Sequence, residues 1–523
     1  MNMDRTSLLN KLHSTDELWD FIVIGGGATG MGIALDAASR GFKTLLLEQS
    51  DFGKGTSGRS TKLVHGGVRY LKQGDVMLVT EALKERGVML RNAPHLVRNQ
   101  SFIIPAYDWW ETPLYTVGLR VYDLMSGRLG FGSSRYISRD EVMHALPTLD
   151  PAGLRGGIIY HDGLFDDTRM LISLARTCDS FGGSMLNYMN VTGLIKEKNK
   201  VAGVLATDME TDKQYLIRSK VVINATGVFA GQVIKMDQPD AADMIRPSQG
   251  IHLVIDRQFL ESDHAIMIPQ TPDGRVLFAV PWYNRVIIGT TDTLVDAVTP
   301  EPRALEEEID FVLDTAGRYL LKPPSRYDVL SCFAGLRPLA APEGEGKTTK
   351  EISRSHKVMV SATGLVTIIG GKWTTYRRMA EDAVNQAIKV GGLPGRYCNT
   401  QHLPLHGYDR NTQPLSSPMA AYGLDRARLN DIKNEDQAFQ GFLSEKLSIE
   451  KIQVIWAVRE EMAVRLEDVL ARRTRALFLD ARESMSMAPE AAMLMAKELG
   501  KDKKWVEDQV AGYAELARGY ILK

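Results

Sequence analysis

At 523 residues the chain is longer than one hydrophobic core supports, so two or three domains are expected. Hydrophobic residues make up 44% and charged residues 24%, ordinary globular values that exclude a disordered, collagenous or coiled-coil chain. Lys+Arg 63 against Asp+Glu 64 leaves a net charge of -1, so no global basic field exists to hold nucleic acid and any anion site must be local.

The three cysteines, Cys178, Cys332 and Cys398, form no CxxC pair and no metal-ligand spacing, which fits a reducing compartment. Residues 1–20 mix both charge signs and lack an apolar run, so secretion is not expected. The uncharged stretch Phe21–Leu35 holds only 15 residues, five of them glycine, short of the roughly 20 that a spanning helix needs. Peripheral membrane attachment stays open, without a polybasic anchor.

In chain order, FIVI (21–24) and TLLLE (44–48) are apolar runs flanking a small-residue helical segment from Gly30 to Ser39, a βαβ unit. Residues 75–90 place Val79, Leu83 and Leu90 among charges, which predicts a surface amphipathic helix. The aromatic segment 107–132 reads equally as a membrane-interface surface or as packing beneath a cap. From about 155 to 300 short strands follow one another, with hairpin turns at Glu197–Lys200 and Tyr283–Arg285, so an antiparallel sheet is interleaved with the parallel one. Residues 358–370 add a strand before a helix starting near Thr374. The stretch 390–418 is dense in Gly, Pro, Asn and Ser and reads as a linker. Beyond it Ile455, Val458, Met462, Leu466 and Val469 keep helical spacing, with Glu461/Arg465 and Asp468/Arg472 as i,i+4 pairs.

Gly25-Gly26-Gly27-Ala28-Thr29-Gly30 supplies G-x-G-x-x-G directly after a strand and at the opening of a helix. Glycines there allow close backbone approach, so that free N–H groups and the positive helix end meet a pyrophosphate. Glu48 follows Gly30 by 18 residues, where a carboxylate accepts ribose hydroxyls. The segment 53–71 contributes Thr56, Ser57, Ser60, Thr61 and Lys62 as cofactor contacts, with Ser57, Ser60 and Thr61 aimed at the pyrophosphate. Gly66 and Gly67 let backbone pass a flat ring. Gly227 closes a returning strand over the adenosine half. Gly370 and Gly371 precede Lys372 and Thr374, where helix-end N–H groups and an ammonium face the negative charge of a reduced flavin. One glycine fingerprint and two later glycine sites point to FAD bound by distant pieces of chain, and with no cysteine near Lys372 the link is expected to be non-covalent.

DFIVIGGGATG, TSGRSTKLVHGGVRYL, VINATG, IIGTTD, GLRPL and GGKWTTYR, in this order, resemble the FAD-dependent glycerol-3-phosphate dehydrogenase family, over nearly the whole chain from Asp20. The resemblance implies a glutathione-reductase-like Rossmann FAD-binding fold (20–390) after an N-terminal extension (1–19). It also implies an antiparallel β-sheet cap (roughly 95–160 and 245–335), a linker (391–414) and an all-helical C-terminal domain (415–523). It makes His65, Arg69, Tyr70, His252, Arg337 and Lys372 active-site candidates. The reading of the residues agrees in type, since a phosphomonoester dianion calls for fixed cations and Arg69, Arg337 and Lys372 supply three. Histidine suits the base at neutral pH, with His252 preferred and His65 placed near the flavin; the other eight histidines are assigned to packing or solvent. Arg59 reads equally as a phosphate contact or a solvated side chain.

The implied reaction oxidises sn-glycerol 3-phosphate to dihydroxyacetone phosphate, C2 hydride passing to flavin N5 and electrons to ubiquinone or menaquinone at the cytoplasmic face of the cell membrane. A homodimer is compatible with this reading. The rivals are an oxidase that reduces O2 to peroxide, an amine or 2-hydroxy-acid dehydrogenase of the same fold, and a non-catalytic FAD-binding protein.

Overall fold

A computed structural model of the chain describes residues 3–12, 17–67, 75–108, 111–127, 130–269, 271, 276–340 and 356–522. Two large sheets organise them. In the first, Leu18–Ile24, Thr44–Leu47, Ser184–Leu186, Gln214–Asn224 and Val366–Ile369 run parallel, and Lys357–Val360 closes one edge antiparallel. Ile24 lies opposite Leu47 on one side and Asn224 on the other, so the strands end together along one edge, the place where open α/β sheets bind ligands. The FIVI run is buried throughout because both faces of the sheet are covered: Phe21 and Val23 pack among helices Ala28–Ser39 and Tyr376–Val390, and Ile22 and Ile24 cluster with Met189, Val191, Val201 and Val204 of an antiparallel strand pair. Helix Ala28–Ser39 is built of small residues for a reason visible in the packing: a Cβ at Gly32 would sit 2.8 Å from the Tyr376 ring of helix Tyr376–Val390. The antiparallel pair Met189–Glu197 and Lys200–Asp208 extends the same sheet. Its turn residues, Lys198 and Asn199, have φ of 47° and 62°, as a tight two-residue hairpin requires. Tyr283 and Asn284 do the same at 44° and 57°.

The second sheet is mainly antiparallel and includes Val97–Ala106, Gly156–Phe165, Ile245–Asp256, Leu277–Trp282, Arg285–Gly289 and Val329–Ala340. The long pairing of Ile245–Asp256 with Val329–Ala340 sets His252 opposite Phe333 and Ser248 opposite Arg337. Since side chains alternate across a strand, His252 and the Ser248/Arg337 pair share one face. The expected α/β plus β architecture is what the chain adopts, while the carboxyl-terminal region is mainly helical and not all-helical, since Phe442–Ser444 pairs antiparallel with Ile449–Glu450.

Two local expectations need correction. Helix Val76–Asn92 is not a surface helix, for Val79, Leu83, Glu85 and Arg86 are all buried, with Arg86 paired to Asp162 at 2.6 Å and Glu85 to Arg377 at 2.7 Å. In the segment 107–132, helix Glu111–Ser126 packs Leu119 and Tyr122 inward, while Val117, Val121 and Leu124 face outward; Trp109 and Trp110 lie outside the described residues. The 451–480 region is not one helix. Helix Ile452–Glu460 stops where Glu461 turns into a two-bonded pair with Arg169 at 2.7 and 2.8 Å, and the chain reverses through Met462 at φ 54°. Arg465 consequently pairs with Glu210 instead of Glu461, while the Asp468–Arg472 pair forms at 2.6 Å. A buried carboxylate with a guanidinium within reach outweighs helix propensity.

Candidate functional site: two adjoining cavities

At the carboxyl edge of the parallel strands lies a first cavity, lined by Gly25, Gly27, Thr29, Glu48, Ser57 and Gly227 among others. Gly25 has φ +110°, and a Cβ on Gly30 would fall 1.9 Å from the Gly25 carbonyl oxygen, so the turn closes only with glycine at both positions. Gly30 therefore shapes the cavity from behind its wall. Glu48 accepts the Gly26 N–H at 2.6 Å and the Ser50 N–H at 2.9 Å. Burial, the dominant influence, raises its carboxyl above the ordinary value, and each oxygen keeps a lone pair for a hydroxyl donor. Ser57 Oγ accepts the Ala28 N–H at 2.9 Å, which leaves its own proton to donate. Gly227 (φ +59°), Gly370 (φ +73°) and Gly371 (φ +83°) complete the glycine-lined wall, and Trp373 Nε1 donates to the Ser57 carbonyl at 2.9 Å.

A second cavity adjoins the first, and Thr56, Pro338, Gly371, Lys372 and Trp373 line both. Its walls bring together His65, Gly67, His252, Arg337, Lys372 and Thr374 from four separate stretches of chain. Arg337 Nη2 donates to Thr290 Oγ1 at 3.0 Å, and its Nη1 lies 3.6 Å from Asp292 Oδ1. The Thr374 hydroxyl meets the backbone N–H of His65 at 3.2 Å. His252 is buried, stacks on Phe333 with ring centres 4.9 Å apart, and places Nε2 2.8 Å from Thr61 Oγ1. Burial first, then the cations Lys62 and Arg337, hold its ring well below the usual histidine range, so the imidazole is neutral and able to accept a proton at neutral pH.

Several expectations about the 53–71 segment change. Ser60 and Thr61 line the second cavity, away from the glycine-lined wall, with Ser60 Oγ donating to Asp167 at 2.7 Å and Thr61 bonded to His252. Lys62 lines neither cavity: its Nζ is buried on Asp167 Oδ2 at 2.6 Å and the Gly58 carbonyl at 3.0 Å. Gly66 gives way to a helix, not to a flat ring, since a Cβ there would lie 2.7 Å from Leu83. Arg59 is neither solvated nor free for a phosphate, because it is buried on Glu301 at 2.8 Å and the Ala334 carbonyl at 3.1 Å. Arg69 and Tyr70 lie outside the described residues. Sequence reading missed Asp292, Trp373 and the Met189–Val191 strand start on the first cavity wall; the TTD of IIGTTD was the available signal for Asp292.

The glycine cradle at the strand ends, the carboxylate at the second strand and an adjoining cavity with the half-buried Lys372 fit an extended flavin dinucleotide. Residues 20–377 match the FAD dependent oxidoreductase family model, and 361–506 match the C-terminal domain of alpha-glycerophosphate oxidase. The mitochondrial glycerol-3-phosphate dehydrogenase of Macaca fascicularis is 39% identical over 97% of this chain and 74% of its own length. That of Schizosaccharomyces pombe is 36% identical over 99% of this chain and 89% of its own. The Bacillus halodurans glycerol-3-phosphate dehydrogenase solved with FAD is 27% identical and superposes with a TM-score of 0.79 over 98% of both chains. FAD is the cofactor, and the chain belongs to the FAD-dependent glycerol-3-phosphate dehydrogenase family.

Proposed function

We propose that the chain oxidises sn-glycerol 3-phosphate at C2 to dihydroxyacetone phosphate and passes the electrons to a membrane quinone. The observation that carries this reading is the convergence of Arg337, Lys372 and His252 on one cavity that opens onto the flavin site. Arg337 and Lys372 hold the phosphate dianion, Arg337 being oriented by Thr290 and Asp292. Neutral His252 takes the C2 hydroxyl proton at Nε2, the nitrogen that meets the Thr61 hydroxyl on the cavity wall. His65 lines the same cavity and Thr374 braces its backbone. When bound, FAD supplies the hydride acceptor, its N5. Glycerol 3-phosphate added anaerobically should bleach the flavin band; an unchanged spectrum refutes the assignment. Turnover with a quinone analogue and no peroxide in air is the expected acceptor pattern, whereas peroxide production would make the enzyme an oxidase.

Membrane contact is part of the same proposal. Among the described residues no helix is long and apolar enough to cross a bilayer. Helix Glu111–Ser126 instead turns Val117, Val121 and Leu124 to the outside, Leu124 being 80% exposed, and the neighbouring helix Val76–Asn92 adds Met77 at 86%. An apolar stripe of this kind suits peripheral docking on the cytoplasmic face of a membrane. Sedimentation with lipid vesicles tests it, and recovery wholly in the supernatant counts against it.

A further inference from the structure

We propose that Lys62 is a positioning residue for the base: a fixed ammonium set behind His252 that keeps the imidazole neutral, held in place by the segment 467–480 of the C-terminal region. The proposal rests on the reading of His252 given above. Lys62 is fully buried and takes no part in either cavity wall. Its ammonium bonds Asp167 Oδ2 at 2.6 Å and the Gly58 carbonyl at 3.0 Å, and the rings of Trp282, Phe333 and Phe478 close around it with centres 5.6, 5.3 and 5.5 Å away. Burial pulls the Lys62 ammonium down to about 7 against the pull of Asp167, so it carries its charge over the acid range in which His252 would take up a proton, and the ring faces attract the desolvated cation. Phe333 is shared. Its ring also stacks on His252, with centres 4.9 Å apart, so the ammonium and the imidazole are at most about 10 Å apart.

The other side of the box comes from the far end of the chain. Arg475 Nη2 reaches Asp167 Oδ1 at 3.2 Å and donates to the Gly58 carbonyl at 3.0 Å, the same two groups that hold Lys62. Phe478, three residues on, packs edge-on against Phe333 with centres 4.8 Å apart. Lys62 and Arg475 both have φ of 65°, a left-handed conformation that residues with side chains rarely adopt. Strain of this sort persists where the surroundings over-determine it, and both instances point a cation at one carboxylate. Asp167 in turn accepts from the N–H and hydroxyl of Ser60, next to Thr61, whose hydroxyl meets His252 Nε2. Both the charge behind the ring and the hydroxyl in front of it are thus set from Asp167.

The test is the pH profile of kcat/KM for flavin reduction by glycerol 3-phosphate in holoenzyme carrying Lys62→Met, Lys62→Gln or Lys62→Arg. The charged and titratable groups around His252 are Lys62 behind it and Arg59, His65, Tyr160, Asp162, Asp292, Arg337 and Lys372 in the cavity, and only Lys62 is altered. Asp167 keeps Arg475 as a partner in each variant. Loss of a unit charge at about 10 Å should raise the acid limb of K62M and K62Q by about one pH unit, at an effective dielectric of roughly 20, while K62R keeps the wild-type limb. Binding of dihydroxyacetone phosphate, read from the flavin spectrum, should shift with pH in the same sense. An acid limb unmoved in an uncharged variant that still holds FAD overturns the proposal, as does failure of both uncharged variants to hold FAD while K62R does, which would make the ammonium purely structural. Wild-type flavin that glycerol 3-phosphate does not bleach would instead sink the underlying assignment.

Discussion

The two cavities share a wall and are built on opposite principles. The first is a backbone site: glycines at Gly25, Gly30, Gly227, Gly370 and Gly371 bring main chain close, and few side chains act directly. The second is a side-chain site, in which His252, Arg337 and Lys372 stand on different elements and are aimed by neighbours such as Thr290, Asp292 and Phe333. A backbone site is specified within a short stretch of sequence. A side-chain site depends on a scaffold that assembles distant strands, here including the buried charges of the C-terminal region.

Substitutions should separate the two sites. Gly30→Val should have the largest effect, a colourless protein without flavin, because its Cβ has no room beside the Gly25 carbonyl; normal flavin content in the purified variant would show the turn to be more pliant than its geometry. Arg337→Ala should keep the flavin and raise KM for the phosphate ester by about 2–5 kcal/mol, roughly 30-fold to a few thousand-fold, with a smaller change in kcat. Unchanged saturation would remove Arg337 from the phosphate site. The scaffold has its own signature in acid. Against a burial penalty that pushes it up, Arg472 and Lys54 bring the Glu467 carboxyl down from 4.5 to about 2. A depressed carboxyl contributes stability that is complete above pH 4.5 and is lost as pH falls toward 2, about 3 kcal/mol in all. Thermal melts of wild type and Glu467→Gln should therefore converge over that window. Glu48→Gln should be mildest, weakening FAD by about 1.5–3 kcal/mol in a direct titration while leaving KM nearly unchanged.

The same contrast explains what the sequence made legible. The glycine fingerprint, Glu48 and the Gly370–Gly371 pair are local signals, and each was readable because backbone geometry restricts the residue type. His252 and Arg337 came from motif resemblance, since nothing within ten residues of either announces that antiparallel pairing puts them on one face. The errors have a common origin. Ser60, Lys62, Arg59 and Glu461 were read against their sequence neighbours, whereas their partners Asp167, Glu301 and Arg169 lie between 105 and 292 residues away. Propensity and periodicity carry no information about such pairs, and a buried ion pair can end a helix that both favour.

Asp51 illustrates what these distant pairs do to the molecule as a whole. It sits one turn beyond the second parallel strand, is fully buried, and receives Arg472 at 2.5 Å and Arg473 at 2.7 Å from the opposite end of the chain. Peeling residues 415–523 away would leave this buried carboxylate without its guanidinium partners, two residues before the Gly53–Ser57 loop that lines the first cavity. Cofactor retention and docking of residues 415–523 are therefore expected to fail together: a clip between them should release the yellow colour along with the fragment.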